Sequence, residues 1–165
     1  MKNSTQVRED VQEYYGKILK TKNDLQTSAC CAAETTPAYL QPYLKNIHEE
    51  VQSRFYGCAS TYPLGLYGKT VVDLGCGTGR DCYLLAQIVG PDGLVIGIDM
   101  TDEQLTVARK YVSYHTSKFN LEKPNMDFRK GWIEDLNTAN LGDNSVDVII
   151  SNCVINLSPD KESVF

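Results

Sequence analysis

One short run constrains this chain most: Asp73-Leu74-Gly75-Cys76-Gly77-Thr78-Gly79, set between the apolar stretch Thr70 to Leu74 and a helical pattern from Asp81 to Val89. Glycines at this spacing permit backbone angles closed to other residues and let N–H groups approach a ligand, so strand, glycine loop and helix together read as a ligand-cradling turn. A second apolar stretch, Leu94 to Asp99, ends on a carboxylate 20 residues beyond Gly79. A carboxylate there can accept both hydroxyls of a ribose, and the carboxyl ends of strands are where open α/β sheets bind ligands. Glycines that only make a tight turn are the plainer reading; Asp99 weighs against it.

The rest of the pattern extends this unit. After the turn Gly90-Pro91-Asp92-Gly93 and the strand Leu94 to Asp99, Thr101-Asp102-Glu103-Gln104 fits a capping box that opens a helix. Met126 to Lys130 and Val146 to Ser151 read as further strands. Short apolar strands alternating with amphipathic helices imply right-handed βαβ units and a parallel α/β sheet, here in the order 3-2-1-4. Ser158-Pro159-Asp160 reads as the start of another helix close to Phe165, so the sheet looks incomplete after its fourth strand. Residues 1–62 form a helical, cysteine-bearing leader and residues 63–165 the ligand-binding domain. Within the leader, Val7 to Lys20 is a helix and Thr21 to Thr36 a polar loop; one further helix starts near Pro42, aligns Leu44, Ile47, Val51 and Phe55, and ends at Gly57.

Composition narrows the partners. Apolar residues make up 42% of the chain, enough for one globular core, and the 16 basic residues are scattered within a net charge of −5, which argues against a nucleic-acid partner. The first ten residues lack an apolar signal core and nowhere do about 18 apolar residues run together, so no membrane partner is expected. The expectation is a cytoplasmic monomer whose six cysteines stay reduced. No Cys-x-x-Cys pair occurs, which argues against structural zinc. His48 and His115 fall in helical patterns and read as solvated.

A nicotinamide dinucleotide loop normally carries its third glycine three positions after the second, whereas Gly79 follows Gly77 by two and Asp73 precedes the loop. An acidic residue there suits an amine-bearing zwitterion better than a diphosphate. The pattern Asp73-x-Gly75-x-Gly77-x-Gly79 resembles the first motif of class I S-adenosylmethionine methyltransferases, whose fold is a Rossmann-like sheet. That resemblance implies S-adenosylmethionine as cofactor, with Gly75, Gly77 and Gly79 near its methionine part, Asp99 on the ribose and Met100 beside the adenine. Trp132, Ile133 and Glu134 would complete the adenine pocket, although Trp132 is equally readable as core. Asn152 and Tyr15 join the cofactor set by the same resemblance, Tyr15 alternatively docking the leader.

Further segments narrow the likeness: Tyr14-Tyr15-Gly16, Leu25-Gln26-Thr27-Ser28-Ala29-Cys30-Cys31, Arg54-Phe55-Tyr56-Gly57-Cys58, Gly79-Arg80-Asp81-Cys82-Tyr83, and Ser151-Asn152-Cys153-Val154-Ile155-Asn156-Leu157. Over nearly the whole length the chain is similar to arsenite methyltransferases. The resemblance implies that Cys30, Cys58 and Cys153 hold trivalent arsenic, that arsenite and methylarsenite are the substrates, and that a thiol reductant such as thioredoxin or glutathione takes part. It also implies a sheet that continues past this point, with a further cysteine and another domain. Soft thiolates suit a thiophilic centre, an argument extended to arsenic by analogy. Cys153, just past the fourth strand, would share the rim that carries the glycine loop and Asp99. Cys76 and Cys82 read as small buried hydrophobes and Cys31 as a spare neighbour of Cys30. Two other readings stay open: methyl transfer to a small organic acceptor, and a non-catalytic module that binds arsenite or the cofactor.

Overall fold

The structure is a computed structural model that describes residues 3–19, 37–58 and 62–165. Four parallel strands, β1 (Thr70–Leu74), β2 (Leu94–Asp99), β3 (Met126–Lys130) and β4 (Val148–Ser151), form one sheet in the order β3-β2-β1-β4. The order inverts beside β1, which pairs Val72 with Ile96 on one side and with Ile149 on the other. A crevice therefore opens at the carboxyl ends of the strands, where the connections leave in opposite directions. This is the α/β arrangement expected, with β4 two residues shorter at its start than the pattern suggested.

Alternation along the strands divides the core between two faces. Val71 and Val95 pack with Tyr83, Leu84 and Leu85 of α4 (Arg80–Val89) and with Leu105 and Ala108 of α5 (Asp102–Lys110). Val72, Leu74, Ile96 and Ile98 face the other way onto Ala139 and Leu141. After α5 the chain bends at Tyr111 and continues as α6 (Val112–Lys118).

The leader departs from expectation. α1 runs Ser4–Glu13, starting earlier than the apolar pattern, because the Asn3 side chain accepts the Gln6 N–H at 2.8 Å as an N-cap. A π-helical turn, Tyr14–Ile18, follows. The single helix expected from Pro42 to Gly57 is two: α2 (Gln41–Leu44) and α3 (Glu49–Ser53). His48 breaks it by turning extended (φ −59°, ψ 140°), its Nδ1 accepting the Glu50 N–H while its own N–H donates to His115 Nε2 at 3.1 Å. His115 is correspondingly not solvated. It is fully buried, stacked 3.7 Å from Tyr83, and burial lowers its pKa to about 4. The helix expected at Ser158 is likewise absent; residues 155–157 and 162–164 are short 3-10 turns, and Asp160 accepts hydrogen bonds from Ser163. The loop expected over residues 21–36, with Cys30 and Cys31, lies outside the described residues. Among the described residues no helix is long and apolar enough to cross a membrane.

Candidate active site

A cleft of about 1030 Å³, open solvent at its mouth included, lies at the carboxyl ends of β1, β2 and β4. Its floor is the glycine loop. Gly79 caps α4 at φ +81°, and a Cβ there would stand 2.5 Å from Phe128, so both the turn and the close approach exclude a side chain. Gly77, at φ +54°, differs: a Cβ would meet only Gln104 Oε1, at 3.9 Å, and otherwise extend into the cleft.

Three carboxylates surround this floor, Asp73 and Asp81 buried and Asp99 half-buried. Asp99 ends β2 and accepts the N–H of Gly77 at 2.9 Å and that of Thr101 at 2.8 Å. Burial raises its pKa, opposed by those hydrogen bonds and by the Thr101 hydroxyl. Because that hydroxyl turns to Asp99 and the Gln104 amide donates to the Tyr15 carbonyl at 2.8 Å, the expected capping box does not form. Gln104 Oε1 is left buried with no partner among the described residues. Asp73, inside β1, is pushed well above the usual carboxylate range by burial and by the Asp81 carboxylate, while the Cys82 thiol donates to it at 3.5 Å. An acidic, partly unsatisfied floor of this kind favours a cationic ligand with polar groups of its own.

The walls come from distant parts of the chain. Tyr15, Met100, Trp132, Ile133, Glu134, Asn152 and Cys153 all line the cleft, together with Asp73, Gly75, Gly77 and Asp99; Gly79 lies beneath it, against Phe128. α1 forms one side: Gln12 donates to the Met100 carbonyl at 2.9 Å, and Arg8 lies 3.4 Å from Glu134 and 5.8 Å from the centre of the Trp132 ring. Glu134 also accepts the Ser158 hydroxyl at 2.6 Å. Arg8, Gln104 and Ser158 are lining residues that the sequence reading did not single out. Gln104 carried a signal, an amide one turn inside a helix next to Asp99, but a capping box explained it equally well.

The cysteines divide by environment. Cys82 is fully buried and Cys76 nearly so; burial pushes Cys76 up to about 11 and Cys82 well above its ordinary value, so both are poor thiolates. Cys153 is half-buried on the rim and held at φ +59°, a left-handed conformation rare for any residue but glycine and asparagine. The next residue, Val154, packs over Gly75, where a Cβ would lie 2.6 Å from Val154 Cγ1. Cys58 stands one residue beyond the lining residue Gly57, its backbone N–H donating to Asn152 Oδ1 at 3.1 Å. Cys30 falls outside the described residues, and among those described no three His, Cys, Asp or Glu side chains converge on a metal-type site.

A family profile described as a methyltransferase domain matches residues 67–165. The arsenite methyltransferase of Aquipseudomonas alcaligenes is 55% identical over 96% of this chain and 45% of its own length. That of Homo sapiens is 47% identical over 96% of this chain and 43% of its own. The crystal structure of an arsenic (III) S-adenosylmethionine methyltransferase from Chlamydomonas reinhardtii superimposes with a TM-score of 0.76 at 46% identity, covering 79% of this chain and 44% of that one. The chain thus spans less than half the length of the curated relatives it matches. With the profile covering more than half of its residues, and with the strand, glycine loop and helix that carry the cleft inside the matched region, the chain belongs to the methyltransferase domain family.

Proposed function

We propose that the chain carries the cofactor site and part of the substrate site of an S-adenosylmethionine-dependent arsenite methyltransferase. The observation that carries this reading is the placement of Cys153 on the rim of the cleft floored by Gly77 and Asp99. The donor set fits S-adenosylmethionine. Asp99 accepts ribose hydroxyls, Met100, Trp132 and Ile133 flank the adenine, and the acidic floor around Asp73 suits a cationic methionine moiety. The orphan oxygen of Gln104 supplies one further acceptor. Tyr15 and Glu134 close the side formed by α1. Bound there, S-adenosylmethionine supplies an electrophilic methyl group to the arsenic lone pair.

The protein residues hold and orient the substrate. Thiolates of Cys153, Cys58 and Cys30 bind trivalent arsenic, leaving its lone pair outward, and alignment rather than proton transfer is the contribution of the site. No general base is needed, consistent with His115 being buried and neutral far from such a role. A thiol reductant, thioredoxin or glutathione, keeps the cysteines reduced in the cytoplasm. Identity of about half with named arsenite methyltransferases supports arsenite and methylarsenite as substrates over an organic acceptor.

The test is arsenite binding by the reduced protein, with and without S-adenosylmethionine, for wild type, Cys58→Ser and Cys153→Ser, with methylated arsenic assayed in the same samples. Binding lost in either variant supports the assignment. Equal binding in all three, with cofactor binding intact, refutes it in favour of an organic acceptor.

A further inference from the structure

The first turn of α4 buries two opposite charges, of which only the Asp81 carboxylate enters the cleft floor described above. Arg80 and Asp81 are 8% and 3% exposed. The Arg80 guanidinium donates to Asp81 Oδ1 at 2.9 Å and lies 3.9 Å above the Phe55 ring. Removing two charges from water is costly, so a buried pair of this kind points to a positional role more than to stability.

Asp81 passes that fixed orientation on. Its Oδ2 accepts the Asn152 amide at 3.0 Å. The same amide nitrogen donates to the Cys58 carbonyl at 3.3 Å, while Asn152 Oδ1 accepts the Cys58 N–H at 3.1 Å. Only a side chain with both a donor group and an acceptor satisfies this set, and the Asp81 carboxylate decides which end faces it. The segment 55–58 is therefore fastened twice, at the Phe55 ring by Arg80 and at the Cys58 backbone by Asn152, and both fastenings meet at Asp81. Gly57 between them packs so closely that a Cβ would lie 2.8 Å from Asn152 Nδ2. Asn152 immediately precedes Cys153 in the chain.

We propose that Asn152, oriented by the Arg80–Asp81 pair, is a positioning residue that holds the Cys58 backbone against the Cys153 rim so that the two thiols serve one arsenic atom. The inference rests on the arsenic reading for its ligand and gives Asn152 a task other than contact with the cofactor. Like the partners that orient a ligating side chain from behind, Asn152 acts on the backbone that carries the Cys58 thiol and sets affinity by fixing it in place.

The experiment compares wild type, Asn152→Ala and Asn152→Asp, each alone and combined with Cys58→Ser. Arsenite affinity is measured by equilibrium dialysis, S-adenosylmethionine affinity by calorimetry, and the alkylation rate of Cys58 by mass spectrometry. Removing Asn152 should weaken arsenite binding roughly 10–100-fold, with a much smaller change in cofactor affinity and faster alkylation of Cys58. In the Cys58→Ser background the same substitution should produce no further loss. Asn152→Asp keeps the side-chain size but sets a second carboxylate against Asp81, so it tests the same contact if the alanine variant unfolds. Additive losses in the Cys58→Ser background, unchanged Cys58 alkylation, or loss of cofactor binding with arsenite binding intact would each overturn the proposal. If Cys58→Ser and Cys153→Ser leave arsenite binding untouched, it is the arsenic assignment that fails. The alkylation rate still reports on its own whether Asn152 holds Cys58.

Discussion

Replacing Gly77 with alanine puts a methyl group into the open cleft, whereas replacing Gly79 puts one into the Phe128 ring. Both glycines have positive φ, +54° and +81°, so each alanine carries a backbone penalty of about 1–2 kcal/mol. Gly77 adds nothing to this, its only neighbour among the described residues being Gln104 Oε1 at 3.9 Å. At Gly79 the Cβ would lie 2.5 Å from Phe128 Cε1 and 2.6 Å from Cζ, an overpacking expected to cost about 1–3 kcal/mol more. Gly79→Ala should therefore lose about 2–5 kcal/mol, and each kcal/mol lowers Tm by roughly 2–4 °C at this chain length. For S-adenosylmethionine the ranking reverses: Gly77→Ala obstructs the floor of the site and should weaken binding at least about tenfold, or 1.4 kcal/mol. Urea unfolding followed by circular dichroism gives the first quantity. Fluorescence of Trp132, the single tryptophan and a lining residue, gives the second. The reasoning is refuted if Gly77→Ala is as destabilised as Gly79→Ala, or if it binds the cofactor like wild type.

Other expectations follow from the same geometry. Burial holds His115 near a pKa of about 4, below the unfolded value of about 6.5, so the unfolded chain binds more protons between these values and the His115 contribution shrinks as pH falls through that window. The stability advantage of wild type over His115→Gln should narrow between pH 7 and 4 in paired urea titrations; a constant difference would contradict it. Iodoacetamide at neutral pH should label Cys153 in the native protein and spare Cys76 and Cys82, whose thiols are buried and raised; peptide mapping that finds Cys82 modified before unfolding would contradict the assignment. Cys153→Gly should relieve the left-handed strain and raise stability by up to about 1 kcal/mol while weakening arsenite binding; a Tm below wild type would mean that the Cys153 side chain contributes more than its backbone costs.

What was legible in the sequence is what short-range chemistry decides. β1 and β2 announce themselves by apolar runs, the loop by its glycines, and Asp99 by its place at the end of a strand. Two of the misreadings, the single helix through His48 and the capping box at Gln104, share another cause: a partner far along the chain. His48 ends one helix and caps another because His115, 67 residues away, accepts its N–H. Gln104 left the capping box for the Tyr15 carbonyl, 89 residues away. Neither competitor is visible within a window of helical length. The candidate cysteines were likewise found by type and motif, but that Cys58 hangs on Asn152, 94 residues distant, is a fact of the fold alone.

The attachment of α1 bears on how firmly one side of the cleft is held. The wall that α1 and the π turn after it form is tied down by the Gln12–Met100 and Tyr15–Gln104 hydrogen bonds and the Arg8–Glu134 contact, and most of the α1 side chains remain partly exposed. Segments held this way sit at the low end of the local opening free energies within a domain. Amides of α1 should thus exchange with deuterium well before those of β1 and β2, and filling the cleft should slow them selectively.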